Sequence, residues 1–344
     1  MEKQLTLLAL MIGLCSMTDA AEMTVISYGG VSKTVQTEAF YQPFEKAHHV
    51  KIIAGEYNGE MARIKAMVDT NSVNWDVVQV ESDKLILGCD EGLFEQVDPH
   101  RFGQAADFVP GTLSECGAGL LVWSMTIAYN ADTLNAAPQG WADFWNVTKY
   151  PGKRALKRGA KFTLEAALLA DGVPQDQVYK VLGTPDGIDR AFSKLDELKP
   201  NIQWWDAGAQ PMQYLVANDV VMTTAFNGRI FAAQQSGAHI KPVWGGSIHA
   251  IDYWAIPRGS KNKELAEQFI ASTLQPEAQR IHSTKLGYGS VNVHTSELLD
   301  QALAAQLNTA PGNIEHSLAF NNEFWVDHSE ELETRFNAWV AKEI

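Results

Sequence analysis

The chain has 344 residues, of which 20% are charged and 46% are apolar, an ordinary composition for a globular protein. Its formal net charge is −14 and no block of lysine and arginine stands out, so the composition excludes the basic surface typical of a nucleic-acid-binding protein. A chain of this length usually needs more than one hydrophobic core, and two domains are therefore expected.

The first element along the chain is the apolar run "LTLLALMIGLCSM" near the N-terminus. It is shorter than the roughly 20 residues that a membrane-spanning helix needs. The small residues of "TDAAE" follow it, which is typical of a secretory signal peptide cleaved after Ala20 or Ala21. We therefore take residues 1–20 as a signal peptide and expect an exported, periplasmic protein that is not inserted in a membrane.

Strands and helices alternate in the next part of the chain. The segments "MTVISYGG", "VKIIAGEY" and "WDVVQVES" predict strands, and helical spacing follows each of them, with Ser32 as the predicted N-cap of one helix and Asn58 of the next. Such alternation predicts a parallel sheet with helices on both faces, where ligands bind beyond the carboxyl ends of the strands. We therefore expect Tyr28–Gly30 and Glu81–Asp83 at one rim of a site.

The pattern restarts at "LLVWSMTIAYN". Residues 141–194 predict mostly helix, and "NDVVMTTAFNG" predicts a strand that leads into a helix near Arg229. The segments "HIKPVW" and "IDYWAIP" predict two further strands, and "SKNKELAEQFIASTL" and "NEFWVDHSEELETRFNAWVAKE" predict two helices.

The two halves of the pattern are not separated by a low-complexity linker. We therefore expect two lobes joined by strands that cross between them, with "LLVWSMTIAYN" and "DYWAIP" as the crossing strands. The predicted division places residues 21–129 and 256–305 in lobe 1, and residues 130–255 and 306–344 in lobe 2.

Two cysteines, Cys89 and Cys116, remain after removal of the signal peptide. An even pair in an oxidising compartment predicts one disulfide, and two free buried thiols are the alternative. Short motifs for a serine nucleophile, a phosphate loop, a dinucleotide site or a zinc site are missing from the sequence. An exported two-lobed chain of this kind favours a binding protein over an enzyme, without a cofactor or a metal.

Several segments in order resemble a known family. They are "WDVVQV", "FNGR", "IHAIDYWAIP" followed by "KNKE", and "GYGSVN". With them the chain resembles the periplasmic solute-binding proteins of polyamine-type ABC transporters, the group around the spermidine/putrescine-binding proteins. The matches extend over about residues 24 to 340, and their order and spacing carry the resemblance rather than any single motif.

The resemblance implies a type II periplasmic-binding-protein fold, an α/β clamp of two parallel or mixed sheets joined by crossing strands. Such a clamp closes on one small ligand between its lobes and delivers it to an inner-membrane ABC permease. We expect a monomer. The resemblance also implies that an acidic residue in "IDYWAIP", here Asp252, receives the ammonium group of the ligand. A carboxylate that caps the strand end is the alternative role for Asp252.

The chain departs from the polyamine binders where they carry a second pair of acids. The aligned positions in "LKRGAKFTLEAALLADG" are Gly159 and Phe162, and the neighbouring Arg158 and Lys161 are basic. A second ammonium group would find no carboxylate there, and burying an unpaired charge costs several kcal/mol. This departure argues against a diamine as the ligand.

Three further departures surround the implied site. Phe226 stands in place of the family's tryptophan before "NG", Ala250 replaces an aromatic residue, and Arg229 replaces a small residue after "NG". A guanidinium group at the start of a helix suits a carboxylate. Arg229 and Asp252 together therefore predict a site for a zwitterion whose charges are held apart, that is, an ω-amino acid such as 4-aminobutyrate or 5-aminopentanoate.

Aromatic residues complete the predicted site. Tyr28 aligns with a family aromatic at the first rim, and Phe226 and Tyr288 are expected to cover the methylene chain of the ligand or to face its ammonium group. Trp205 and Trp325 are weaker candidates. For each of these residues an ordinary core or surface aromatic is the alternative.

Several alternatives remain open from the sequence. Ser82 and the backbone near Glu81 are candidates for hydrogen bonds to the ligand, whereas capping of the following helix is the other role for Glu81 and Asp83. The alternative roles for Arg229 are an internal ion pair with Asp252 and an ordinary position on the surface. A diamine site completed by Glu81 or Asp83, or an exported enzyme on the same fold, are the competing functions.

Overall fold

A computed structural model of the chain describes residues 21–134 and 136–342. The predicted signal peptide, residues 1–20, lies outside this part of the chain. Among the helices in these two ranges, none is both long enough and apolar enough to cross a bilayer.

The strands of the described residues join into a single ten-stranded sheet. They are β1 Glu22–Ser27, β2 Lys51–Glu56, β3 Val77–Glu81, β4 Leu113–Ser114, β5 Gly117–Asn130, β6 Arg154–Lys157, β7 Ile202–Trp205, β8 Met222–Phe226, β9 Ile240–Ala255 and β10 Leu318–Ala319. Two parallel blocks, β2-β1-β3 and β8-β6-β7, lie on either side of a central antiparallel pair, β9 and β5. The short strands β4 and β10 pair with β5 and β9.

Helices connect and cover the two parallel blocks. They are α1 Gly30–Gln36, α2 Gln42–His48, α3 Met61–Asp69, α4 Ser82–Asp90, α5 Trp141–Trp145, α6 Thr163–Ala170, α7 Val178–Leu182, α8 Pro185–Leu198, α9 Gln210–Val216, α10 Asn227–Gln235, α11 Lys263–Thr273, α12 Pro276–Leu286, α13 Gln301–Gln306, α14 Pro311–Ile314 and α15 Asn322–Ala341. A five-residue π-helical turn, Thr37–Tyr41, joins α1 to α2. Short 3₁₀ turns occur at Pro99–Arg101, Ala105–Asp107, Gln175–Gln177, Lys199–Asn201 and Val293–Leu298.

The apolar residues form two separate cores, one under each parallel block. Lobe 1 is built around residues such as Val77 and Phe269, and lobe 2 around residues such as Phe144 and Phe336. Trp123, on β5, packs against both cores. The predicted two-lobed α/β fold with crossing strands is confirmed, and β5 and β9 are the strands that cross. The residue boundaries predicted for the lobes stay a prediction. Ile251 and Tyr253, on either side of Asp252 in β9, pack in the core of lobe 1, so Asp252 is described below with the lobe 1 side.

Some local expectations are wrong. The predicted strands "HIKPVW" and "IDYWAIP" are one continuous strand, β9, because its pairing with β5 resumes after an irregularity near Gly246, where φ is 77°. Ser32 does not cap the first helix, which begins after Gly29, a residue with a φ of 80°. Asn58 does not cap the next helix, which begins at Met61.

The predicted disulfide between Cys89 and Cys116 is present, with 5.9 Å between the two Cα atoms. It links α4 to the start of β5 in lobe 1, and it closes a loop over a sequence separation of 27 residues. A loop of that length is worth about 3.5 kcal/mol in the chain-entropy account of disulfides. Neither cysteine lines the cleft described below.

A buried carboxyl group lies in the core of lobe 2. Glu165, on α6, is fully buried, and its Oε1 accepts hydrogen bonds from the Trp325 indole at 2.6 Å and the Tyr179 hydroxyl at 3.1 Å. Its Oε2 has no hydrogen-bond partner among the described residues. Burial raises the pKa of Glu165 to about 7.

This raised pKa predicts a pH-dependent effect of the Glu165→Gln substitution on stability. The stability that the protonated Glu165 contributes is fully present below about pH 4.5 and is lost as the pH rises through about 7. Glutamine removes the cost of burying the charge, so the variant should be more stable than the wild type above pH 7, by up to about 3 kcal/mol. Below about pH 4.5 the two proteins should unfold alike.

Urea unfolding at both ends of this pH range measures the difference. The exposed Glu331 offers a matched control, because Glu331→Gln makes the same chemical change on the surface of the same lobe. A Glu165→Gln variant that is no more stable than the wild type at high pH would show that burial of the ionised Glu165 carboxylate does not destabilise the fold.

Candidate ligand-binding site

A cleft of about 440 Å³ lies where the carboxyl ends of the parallel strands of the two lobes face each other. This is where the alternation of strands and helices predicted it. Tyr28 and Glu81 follow or end strands of lobe 1, and Lys157 and Phe226 end strands of lobe 2. The residues around the cleft are Tyr28, Glu81, Ser82, Asp83, Asp252 and Tyr288 on the lobe 1 side, Lys157, Lys161, Phe162, Gly208, Phe226, Arg229, Phe320 and Asn322 on the lobe 2 side, and Trp123 between them.

Asp252 is the most deeply placed acid of the cleft, with 7% of its surface exposed. Its Oδ1 accepts a hydrogen bond from the Trp123 indole at 3.0 Å, and its Oδ2 accepts one from the Gln79 side-chain amide at 2.8 Å. Burial, reinforced by the charge of Glu81, raises the pKa of Asp252 to about 7, and the two donors oppose that rise. Among the described residues no backbone N–H donates to Asp252, so its geometry does not support a capping role.

Glu81 is the direct neighbour of Asp252 across the sheet, because the two residues are paired in the antiparallel register of β3 and β9. Opposite residues of such a pair point to the same face, so the two carboxylates share one wall of the cleft. Desolvation by the walls of the cleft, together with the charge of Asp83, raises the pKa of Glu81, although its side chain still reaches solvent. Its carboxylate does not cap α4.

Asp83, in the first turn of α4, is already paired. Its Oδ2 lies 3.3 Å from the Lys161 ammonium of lobe 2 and 3.6 Å from that of Lys84. The neighbouring Ser82 also reaches across the cleft, because its hydroxyl donates to Oδ1 of Asn322 at 2.7 Å. The start of α4 is therefore joined to lobe 2 by an ion pair and a hydrogen bond.

Arg229 lies in the first turn of α10 and is exposed in the cleft. No carboxylate of residues 21–134 or 136–342 lies within 4.0 Å of its guanidinium group, which excludes the alternative of an internal ion pair with Asp252. A charged fork that lines a cleft without a protein partner is available to an anionic ligand group.

Each residue of the "FNGR" turn has a separate structural task. Phe226 ends β8 and lines the cleft, and Arg229 supplies the charge. The Asn227 side chain accepts from the backbone N–H of Ser124 at 2.9 Å and donates to the carbonyl of Gly287 at 2.9 Å. A Cβ on Gly228 would lie 2.5 Å from the Tyr288 ring, so only glycine lets that ring approach.

Two lysines of lobe 2 were not predicted as site residues. Lys157 ends β6 and Lys161 lies before α6, and both line the cleft. Lys161 is paired with Asp83, whereas Lys157 has no carboxylate within ion-pair distance among the described residues. The lobe 2 side of the cleft therefore carries three cations opposite three carboxylates on the lobe 1 side.

Aromatic rings form the apolar walls between the charges. The Trp123 ring meets the rings of Phe226 and Phe162 edge to face, with centroids 5.4 Å and 5.8 Å apart. Tyr28 stacks on Tyr57 at 5.6 Å, and burial strongly raises the pKa of Tyr28, so its hydroxyl stays protonated. Such apolar walls suit a ligand with a short methylene chain better than a ligand with a polar chain.

Trp205 occupies a different place from the cleft-lining position expected of it. It is 1% exposed, its indole donates to the Thr224 hydroxyl at 3.1 Å, and its ring supports Phe226 from behind at 6.0 Å. Trp325 is equally buried, in the core of lobe 2. The other predicted residues, which do lie around one cleft, are Tyr28, Glu81, Ser82, Phe226, Arg229, Asp252 and Tyr288.

Sequence reasoning missed the two groups that hold Asp252, although each carries a recognisable pattern. Gln79 is a polar residue in the middle of the buried strand "VVQV", where an amide is retained only if it is hydrogen-bonded. Trp123 lies in the middle of the largely buried crossing strand β5, where its indole N–H needs an acceptor. The sequence around Lys157 carries no such signal, because a lysine at the end of a strand is common in proteins and does not indicate a binding site.

Comparison with known proteins identifies the family. A model of the bacterial extracellular solute-binding proteins matches residues 39–306. The chain belongs to this family. It is 55% identical to the gamma-aminobutyric acid-binding protein of Pseudomonas aeruginosa, over 98% of this chain and 96% of that one.

More distant relatives agree with this assignment. A solved structure of a GABA receptor is 33% identical, with a TM-score of 0.82, and the match covers 94% of this chain and 98% of the other. The spermidine/putrescine-binding periplasmic protein of Escherichia coli is 24% identical over 76% of each chain. The predicted resemblance to the polyamine binders is confirmed, and so is the interpretation as a solute-binding protein of a transporter rather than an enzyme.

Proposed function

We propose that the chain is the periplasmic solute-binding component of an ABC importer, and that it binds 4-aminobutyrate or a closely related ω-amino acid. The ammonium group of the ligand binds Asp252, and its carboxylate binds Arg229. The aromatic walls enclose the methylene chain. The gamma-aminobutyric acid-binding relative, which matches nearly the whole chain, supports this choice of ligand.

The observation that carries the proposal is the separation of unpaired charges across the cleft. Once the Asp83–Lys161 pair is set aside, Glu81 and Asp252 remain on one side, and Lys157 and Arg229 remain on the other. The formal charges of the cleft sum to zero, so a ligand of zero net charge preserves the balance. A ligand with two ammonium groups would leave the cations of lobe 2 without a counter-charge.

The same arrangement links binding to closure of the lobes. A zwitterion that lies between the two walls is held by Asp252 on the lobe 1 side and by Arg229 on lobe 2. Each end of the ligand gains its full interaction only when the lobes are close together. Binding therefore favours the closed state through differential affinity, which is the thermodynamic requirement for a ligand-driven conformational change.

A diamine is the second candidate, and one observation favours it. Glu81 and Asp252 are adjacent carboxylates on the same wall, so the site keeps two acids in reach of amino groups. The spermidine/putrescine-binding relative is more distant in sequence than the gamma-aminobutyric acid-binding one. The unpaired Arg229 argues against this candidate, because it repels a second ammonium group.

Isothermal titration calorimetry of the ligand-stripped protein tests the proposed function. The ligands are 4-aminobutyrate, 5-aminopentanoate, putrescine and spermidine. We expect heat of binding from the amino acids and none from the diamines. Tight binding of putrescine or spermidine with silent amino acids would replace the proposal with the diamine function.

The role of Arg229 predicts the effect of its removal. Arg229→Ala should weaken 4-aminobutyrate binding by roughly 30-fold to several-thousand-fold, because the ligand carboxylate loses a charge-assisted partner. Arg229→Lys should recover only part of that loss, since an ammonium group cannot bind the carboxylate bidentately. Arg158→Ala is the matched control, because Arg158 is an exposed arginine of the same lobe outside the cleft. Equal affinity in Arg229→Ala and Arg158→Ala would remove Arg229 from the site.

The contact between Gly228 and Tyr288 offers a steric test of the Tyr288 wall. A Cβ at Gly228 collides with the Tyr288 ring at 2.5 Å, whereas a Cβ at Gly312, which does not line the cleft, meets nothing within 4 Å. Gly228→Ala should therefore displace the ring and weaken 4-aminobutyrate binding about tenfold or more, and Gly312→Ala should change it little. Calorimetric titration of both variants with 4-aminobutyrate measures the difference. Identical affinities would show that the Tyr288 ring is not part of the site.

A further inference from the structure

A line of buried hydrogen bonds leads from the core of lobe 1 to Asp252. The Tyr41 hydroxyl donates to Oε1 of Gln36 at 2.9 Å, and Nε2 of Gln36 donates to Oε1 of Gln79 at 2.9 Å. Nε2 of Gln79 then donates to Oδ2 of Asp252 at 2.8 Å. Tyr41, Gln36 and Gln79 are each at most 2% exposed, so water does not compete for these bonds. We call these three residues the relay.

The direction of the relay is fixed by chemistry. An ionised Asp252 can only accept, so Gln79 must turn its amide N–H towards the carboxylate and its carbonyl towards Gln36. Gln36 must then donate to Gln79 and accept from Tyr41. Burial raises the pKa of Tyr41 well above its ordinary value, so its hydroxyl keeps the proton that it donates. Every donor of the relay therefore points towards Asp252.

The backbone supports the relay with an uncommon element. Gln36 and Tyr41 are five residues apart and are joined through the π-helical turn Thr37–Tyr41. In an ordinary α-helix, residues five positions apart do not lie one above the other, whereas a π-turn brings them into line. Single π-helical turns are often found at functional sites. Neither Gln36 nor Tyr41 lines the cleft, so contact with a ligand does not explain the arrangement.

We propose that Gln36 and Tyr41 are positioning residues for the ligand's ammonium group, and that they act through Gln79 by orienting Asp252 and keeping it ionised. This inference rests on the proposed function. The energetic reason is that Asp252 is buried beside another carboxylate, two conditions that both favour its protonated form. A chain of donors aimed at the carboxylate opposes them, and successive hydrogen bonds polarise one another.

Other charged and titratable groups face Asp252 from the surrounding elements. They are Glu81 at the end of β3, Asp83 in α4, Tyr28 after β1, Tyr57 after β2, Tyr253 beside Asp252 on β9, Tyr288 after α12 and Arg229 in α10. None of them belongs to the relay. A variant of Gln36 or Tyr41 therefore changes the support of Asp252 and leaves these neighbours in place.

The test measures 4-aminobutyrate affinity by calorimetry between about pH 6 and pH 9. The ligand remains a zwitterion over most of this range, because its groups resemble those of lysine and glutamate, with pKa values of about 10.4 and 4.3. Gln36→Met removes the central amide at nearly constant volume, and Tyr41→Phe removes only the terminal hydroxyl. Tyr253→Phe is the matched control, since its buried hydroxyl donates to the carbonyl of Gly111 in the same lobe and takes no part in the relay.

The relay predicts a loss of affinity that depends on pH. Without the relay the pKa of Asp252 rises further. A larger fraction of the protein molecules then carries a protonated Asp252 near neutral pH, and these molecules cannot bind the ammonium group. Gln36→Met should bind roughly tenfold more weakly than the wild type at low pH, which corresponds to a rise of about one unit in the pKa of Asp252. At high pH Asp252 is ionised in both proteins, and the difference between their affinities should disappear. Tyr41→Phe should show the same trend with a smaller gap, and Tyr253→Phe should follow the wild type.

A loss of affinity that is equal at every pH in Gln36→Met and Tyr41→Phe would overturn the relay, because damage to packing does not follow the titration of Asp252. Unchanged affinity in both variants would overturn it as well. Tyr41→Phe keeps the test decisive if Gln36→Met does not fold. A wild-type protein that binds no ω-amino acid would instead refute the proposed function.

Discussion

The organisation of the cleft depends on charges that the fold keeps apart. Asp252 lies on a strand that crosses between the lobes and is fixed by Trp123 and Gln79, while Arg229 lies at the start of a lobe 2 helix with no carboxylate partner among the described residues. An ion pair between them would satisfy both groups and close the cleft without a ligand. In the structure both charges instead face the open cleft, so a ligand with an ammonium group at one end and a carboxylate at the other can supply the missing counter-charges.

The two sides of the cleft carry opposite charges. Glu81 ends a strand of lobe 1 and Lys157 ends a strand of lobe 2, and the neighbouring elements add further acids to the lobe 1 side and further bases to the lobe 2 side. The Asp83–Lys161 pair and the Ser82–Asn322 hydrogen bond already join the lobes at one side of the cleft. The remaining, unpaired charges are those that the proposed ligand would bridge. Closure and recognition then use the same residues, and the relay behind Asp252 links this chemistry to the core of lobe 1.

Much of this arrangement was predictable from the sequence, for physical reasons. Alternating strands and helices predicted the parallel blocks and the edge at which ligands bind, and the departure from the family pattern at Arg229 predicted a basic group in the cleft. Helix starts at Ser32 and Asn58 were wrong, because side-chain capping competes with backbone conformations that a sequence does not reveal. The buried amide in "VVQV" indicated that Gln79 needs a hydrogen-bond partner, but that partner, Asp252, lies 173 residues further along the chain and no local pattern identifies it. Neither the cleft position of Lys157 nor the π-helical turn has a comparable local signal.

A crystal structure of the protein with 4-aminobutyrate in the cleft would test the central claim most directly. The ligand carboxylate should bind the guanidinium group of Arg229 and its ammonium group should bind Asp252, with the methylene chain against the rings of Phe226 and Tyr288. A ligand bound in the opposite direction, or with its carboxylate on Lys157 and Arg229 facing solvent, would contradict that claim.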